Sequence, residues 1–238
     1  MARLIAAFLF MITSAFAQPN TGVDVIRSMY DRYNGKWYTG LTFTQKSVFY
    51  KDGKVDREET WYEAIKMPKG LIIKIAHMDS GNGLLFANDT QYVFRSNALR
   101  QKIRRPHDLL VLGFEVYFND PSVTVKKLEE LGFDMSKCTV ENSLAGKHYV
   151  VGDSAHAQFW VTADTYLFTK MKKKDARGGV TEVQFNKYEK LGKGWIAPEV
   201  LFMRNGQTMM REVYSGCAID KKLPDSLFDP SKFESAKW

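Results

Sequence analysis

Cysteine is scarce in this chain: there are two in 238 residues, Cys138 and Cys217. That excludes a disulfide-dense scaffold. It also excludes a cysteine-ligated zinc, because neither thiol has a second Cys or a His at ligand spacing. Histidine is as sparse, and His77, His107, His148 and His156 form no HExxH or comparable pair. Gly152-Asp153-Ser154 lacks the closing glycine of a hydrolase elbow and reads as a polar turn. No glycine-rich phosphate loop occurs. Nothing sets a nucleophile beside a base, so the sequence predicts no enzyme, no cofactor and no metal. Long apolar runs are absent as well. A bilayer-spanning helix needs roughly 20 residues, and no run reaches that length.

The most apolar stretch, Leu4–Ile12, follows Arg3 and precedes Thr13-Ser14-Ala15-Phe16-Ala17. That order is the signature of an export signal ending in a small-x-small cleavage site. We expect residues 1–17 to be removed after Ala17, leaving 18–238 as one domain, a monomer in the periplasm; a retained anchor is the alternative. No cysteine follows the cut, so N-terminal lipidation is not expected. Export disfavours nucleic acid as a partner. The net charge of +7 suits an anionic membrane surface, a lipid headgroup or an acidic protein. In an oxidising compartment Cys138 and Cys217 can bridge; otherwise they are two buried free thiols.

What the chain has in quantity is hydrophobic residues (45%) and aromatics (13%), ample for a large core. Val23, Ile26, Met29 or Tyr30, and Tyr33 recur at helical spacing, and Asn34-Gly35 ends that helix. From Trp37 the period changes to two: Leu41, Phe43, Gln45, Ser47 and Phe49 share one face. Asp52-Gly53 is a hairpin turn, and short turns follow at intervals to the C-terminus. The pattern predicts a mainly β fold of about eleven strands, a strongly curved and incomplete antiparallel barrel. An N-terminal helix precedes it. Two helical segments interrupt it, the apolar Leu109–Phe118 and Pro121–Leu131, and we place them on the concave side as a lid or plug.

A wide, incompletely closed sheet leaves room for a ligand. Phe43, Leu85, Phe168, Met171, Phe185, Phe202 and Met209 are the expected lining, with Leu109, Leu110 and Leu112 from the lid; the bland alternative is plain core. Leu109–Phe118 is apolar all round, and we expect it to be a ligand-exchangeable cover. Arg100, Arg104 and Arg105 end the strand before it and are read either as headgroup or membrane contacts or as edge protection. The same two readings apply to Lys170, Lys172, Lys173, Lys174 and Arg177.

Several stretches carry a resemblance. They are the helix to Tyr33 with Trp37–Gln45 after it, Trp61-Tyr62-Glu63, Met67–Lys74, Gly83–Tyr92, Glu182–Tyr188 and the closing Leu223–Phe233. Together they resemble the outer-membrane lipoprotein-sorting family, the LolA-like carriers. The resemblance implies an open barrel with a helical lid, binding lipid or lipoprotein acyl chains for transport towards the outer membrane. It also implies membrane transport proteins as partners and an arginine latching the lid, for which Arg95 and Arg100 are the candidates. Exported regulators that bind a protein partner share this fold, and they supply the alternative reading.

Overall fold

The computed structural model describes residues 18–219 and 222–238; the expected signal at 1–17 lies outside the described residues. The first helix, α1 (Gly22–Tyr33), starts where it does because of a capping box. Asp24 N–H donates to the Thr21 hydroxyl at 3.2 Å, and Thr21 N–H donates back to the Asp24 carboxylate at 3.0 Å. The helix buries Ile26, Met29 and Tyr33 of the stripe expected from the spacing, and Val25 in place of the half-buried Val23.

The chain then runs as a meander: β1 (Gly40–Lys51), β2 (Lys54–Lys66), β3 (Gly70–Ile75), β4 (Gly83–Ala87), β5 (Thr90–Arg95) and β6 (Ala98–Arg104). The β1–β2 turn carries Asp52 and Gly53 at φ 51° and 73°, the left-handed pair that a tight hairpin requires. Helix α2 (Asp108–Gly113), a 3₁₀ turn at Glu115–Tyr117 and α3 (Pro121–Glu130) interrupt the strands. The meander resumes with β7 (Cys138–Ser143), β8 (Gly146–Asp153), β9 (Ala157–Thr162), β10 (Phe168–Lys174) and β11 (Val180–Asn186). It finishes with β12 (Glu189–Leu191), β13 (Gly194–Ile196), β14 (Glu199–Arg204) and β15 (Gln207–Ile219).

Thirteen of these strands form one antiparallel sheet in the order β6-β5-β4-β3-β2-β1-β15-β14-β11-β10-β9-β8-β7, while β12 and β13 pair as a separate hairpin. The sheet is curved and open, with β6 and β7 as its edges. The fold class is as expected, but fifteen strands replace the eleven anticipated. One cause is local: Pro198, which has no N–H to give to a ladder, splits the expected strand Trp195–Phe202 into β13 and β14. Most neighbours in the sheet are neighbours in sequence. The joint that closes the two halves is not: β15 pairs with β1 from Leu41↔Ile219 to Phe49↔Met210.

The sheet carries packing on both faces. On the inner face, α1, α2, the 3₁₀ turn and α3 bury a core with Leu41, Phe43, Ile65, Ile73, Phe159, Phe168 and Phe185. One end of this face is filled by aromatic rings, with Trp37 stacked on Tyr117 at 3.9 Å and Tyr33 edge-on to both. On the outer face, residues of the opposite parity (Ala64, Ile72, Leu85 and Phe94) pack under the C-terminal segment through Leu223, Leu227, Phe228 and Phe233. Lys74 is buried there with 0% exposure. Its ammonium donates to the Phe233 carbonyl at 2.5 Å and sits over that ring.

Cys138 and Cys217 are free thiols, each partly buried against the inner core. The expected alternative of a bridge is corrected: the two lie on β7 and β15, and five strands separate these in the sheet.

Candidate ligand cavity

Between the inner face of the sheet and α2 lies a cavity of about 220 Å³. Its floor comes from alternate residues of adjacent strands. β1 supplies Phe43 and Gln45, β2 supplies Trp61, Glu63 and Ile65, β3 supplies Leu71 and Ile73, and β4 supplies Leu84 and Phe86. The far wall is Phe185 of β11, Phe202 of β14, and Met210, Glu212 and Tyr214 of β15. The roof is His107, Leu109, Leu110 and Phe114. A strand shows the same face every second residue, so each strand contributes by parity and the lining is overwhelmingly apolar.

Of the lining residues expected from sequence, the structure brings Phe43, Leu109, Leu110, Phe185 and Phe202 together around this cavity. Five others are elsewhere. Leu85 points to the outer face, while its neighbours Leu84 and Phe86 point inward. Met209 is 46% exposed, and Met210 takes the cavity position. Both corrections are a parity of one residue, the slip that exchanges the faces of a strand. Leu112, Phe168 and Met171 face inward but are buried in the core beyond the cavity wall.

The segment read as one apolar cover is in fact two pieces, broken at Phe114, where φ is −137° and ψ −59°. Its two sides do different work. Leu109, Leu110 and Phe114 roof the cavity, while Val111, Leu112, Val116 and Tyr117 have no exposed surface at all. Gly113 lets the helix approach the far wall, since a Cβ there would lie 3.1 Å from the Phe185 ring. The start of α2 is held by an ion pair, Lys173 Nζ to Asp108 Oδ2 at 2.9 Å, and the same ammonium donates to the Leu131 carbonyl after α3. Neither candidate arginine latches this helix: Arg95 donates to the Phe94 carbonyl, and Arg100 is exposed on edge strand β6. Lys173 therefore leaves the solvated cluster in which the sequence placed it.

Arg100 and Arg104 are exposed along β6, a placement that suits edge protection. Arg105 follows and lines a second, more polar cavity of about 250 Å³ beside Asp89, Glu115 and Lys127. The Lys127 ammonium pairs there with Asp89 at 2.5 Å and Glu115 at 2.8 Å.

The apolar cavity holds one polar group of side chains that the sequence reading missed. Glu63 is 4% exposed and Glu212 7% exposed. Tyr214 donates its hydroxyl to Glu212 at 3.0 Å, and the Gln45 amide, beside them, donates to Ser47 at 2.7 Å. One carboxylate oxygen of Glu63, Oε1, has no hydrogen-bond partner, and neither has Nδ1 of His107 across the cavity. Burial raises the carboxyl of Glu212 to about 7. Burial, and then the nearby Glu212, hold Glu63 well above the ordinary range. Burial also lowers His107, keeping its imidazole neutral. The one available signal was parity: Phe43, Gln45 and Ser47 were assigned a common face, and strands pairing with them had to place Glu63 and Glu212 on it.

Among the described residues, no group of three His, Cys, Asp or Glu gathers into a metal-binding arrangement. No described helix is long and apolar enough to cross a membrane. The Gly152-Asp153-Ser154 segment ends β8 and enters the short turn to β9, with Asp153 bonded to Lys137.

No family model and no curated protein sequence matches the chain. Solved structures do. A DUF1329 family protein from Desulfovibrio piger superposes with a TM-score of 0.62 at 16% identity, covering 88% of this chain and 96% of the other. An outer-membrane lipoprotein-sorting protein domain from Vibrio parahaemolyticus gives 0.61 at 14%, covering 90% and 98%. A LolA superfamily protein from Nitrosomonas europaea gives 0.52 at 14%, covering 88% and 98%. At these identities the likeness shows the fold, and the fold is LolA-like.

Proposed function

We propose that this chain is an exported periplasmic carrier, a monomer that shelters acyl chains of a lipid or lipoprotein under α2. It passes them between membrane transport proteins towards the outer membrane, without catalysing a reaction. The observation that carries this reading is the cavity, an apolar chamber roofed by an element only half committed to the core. The N-terminal pattern at 1–17 supports export. The shared fold with a lipoprotein-sorting domain supports the class of cargo.

Volume sets the mechanism. At about 220 Å³ the chamber is smaller than the roughly 300–1,000 Å³ of pockets that enclose a drug-sized ligand. A long acyl chain fits only if the roof withdraws. Withdrawal gives up the burial of Leu109, Leu110 and Phe114, each worth about 1.5–3 kcal/mol, and the entering hydrocarbon restores it. Exchange is then close to balanced, which reversible loading and unloading require. The Asp108–Lys173 pair and the buried side of the segment stay in place and act as the pivot.

Titration with a fluorescent long-chain fatty-acyl probe tests this. Leu84→Trp, which pushes an indole into the chamber, is expected to weaken probe binding at least tenfold with an unchanged far-ultraviolet circular dichroism spectrum. Equal binding by the variant and the wild type would show that the probe sits elsewhere and would remove the carrier reading.

A further inference from the structure

An all-hydrocarbon ligand leaves one feature of this cavity without a purpose. Two carboxyl groups, Glu63 on β2 and Glu212 on β15, are buried in a chamber lined mostly by Phe, Leu and Ile. Burying a carboxyl in apolar surroundings is costly unless a partner meets it. Glu212 has the Tyr214 hydroxyl, but Oε1 of Glu63 has nothing. No lysine or arginine lines the cavity. Its remaining polar lining is Gln45, Trp61, Tyr214 and neutral His107, with Ser47 behind Gln45. The lining from β3, β4, β11 and β14 bears no charge and no titratable group. The site therefore has two acids, an unfilled acceptor and no counter-charge of its own.

We propose that the cavity takes a lipid amine, a single-chain amphiphile whose primary ammonium sits between Glu63 and Glu212 and whose hydrocarbon runs under Leu109, Leu110 and Phe114. This rests on the carrier reading and names its ligand class. A primary ammonium brings three N–H donors, so it fills the open Oε1 acceptor, which a quaternary ammonium lacks the hydrogens to do. It also supplies the positive charge that two neighbouring acids require. A fatty acid brings a third carboxyl to the same place, and an alcohol brings a donor without charge. Both acids titrate above the ordinary carboxylate range, so the empty cavity keeps protons on the pair at a pH where a solvated acid has lost them, and entry of the ammonium drives bound proton into solvent.

Calorimetric titration with dodecylamine, 1-dodecanol and dodecanoic acid, each below its critical micelle concentration, tests the assignment. At pH 8 the amine is expected to bind at least tenfold more tightly than the alcohol. Near pH 7 its binding should also release protons, read from the dependence of its heat on buffer ionisation, whereas the alcohol releases none. The preference should shrink at pH 5.5, where the pair keeps its protons, and should fall to about one in the Glu63→Gln/Glu212→Gln double variant. If amine and alcohol bind alike to the wild type at pH 8, or if the double variant keeps the preference, the lipid-amine assignment is overturned while the carrier reading stands. If none of the three C12 ligands binds, the carrier reading fails and takes the assignment with it. The wild-type comparison and proton count decide even if the double variant does not fold.

Discussion

Glu212→Gln is expected to stabilise the chain by about 2–3 kcal/mol more at pH 8 than at pH 5. The carboxyl titrates near 7 in the folded protein against an ordinary value of 4.5. Between those values the folded state holds a proton that the unfolded state has released. Its contribution is thus fully present below pH 4.5 and is lost as pH rises through 7. A displacement of that size corresponds to about 3 kcal/mol, most of which falls between pH 5 and 8. Glu63 is raised too and pushes the same way. Other groups must be separated from them. Exposed acids such as Asp175 and Asp225 are lowered by ion pairs from an ordinary value of 3.8, so their contribution is complete before pH 5. His107 is lowered by burial and favours the folded state as pH rises towards 6.5, opposing the acids. Subtracting the wild-type profile from that of Glu212→Gln cancels His107. Glutamine keeps the shape and hydrogen bonding of the protonated acid and cannot ionise. For a chain of this size the difference corresponds to about 5–10 °C in Tm. Parallel Tm profiles for the two proteins would mean that Glu212 titrates as a solvated acid, and the description of the cavity as apolar would be wrong.

The second large effect separates the two sides of the segment over the cavity. Leu112→Ala is expected to cost about 2–5 kcal/mol, as truncation of a fully buried leucine does when the site cannot collapse. Leu109→Ser, three residues before Leu112 on the cavity side of α2 and only partly buried, is expected to cost about 1 kcal/mol or less while changing uptake of a fatty-acyl probe several-fold. Chemical denaturation of both variants beside probe titration reads the contrast. Equal stability loss at the two positions would make α2 core throughout. An equal change in uptake with little loss at either would restore the picture of a segment that moves as one body.

How much was legible in the sequence depended on whether the information was local. The helix ending at Tyr33, the Asp52-Gly53 turn and the common face of Leu41, Phe43, Gln45 and Ser47 each follow from period, cap or turn chemistry within a few residues. Parity was harder where a run was apolar on both faces. Gly83-Leu84-Leu85-Phe86-Ala87 has no polar residue to mark the outside, because the C-terminal segment covers what would otherwise be a wet face. Leu85 was assigned inward for that reason; Met209 was assigned inward because it is adjacent to Met210 and chemically identical to it, and only the second faces the cavity. The acid pair was out of reach, since it depends on the pairing of β15 with β1 and of β1 with β2, joining residues up to 165 positions apart, as at Ser47↔Glu212 and Phe43↔Glu63. That Lys173 anchors α2 likewise needed the sheet first, since in sequence it is one lysine among several.

Native mass spectrometry of the protein purified from its own host under mild conditions tests the central claim most directly. We expect a population carrying one small hydrophobic adduct per chain, released by collisional activation and strongly depleted in the cavity-filled Leu84→Trp variant. A chain that appears only at its bare mass, or bound to a stoichiometric protein partner with the cavity empty, would contradict it and favour a protein-binding regulator on the same fold.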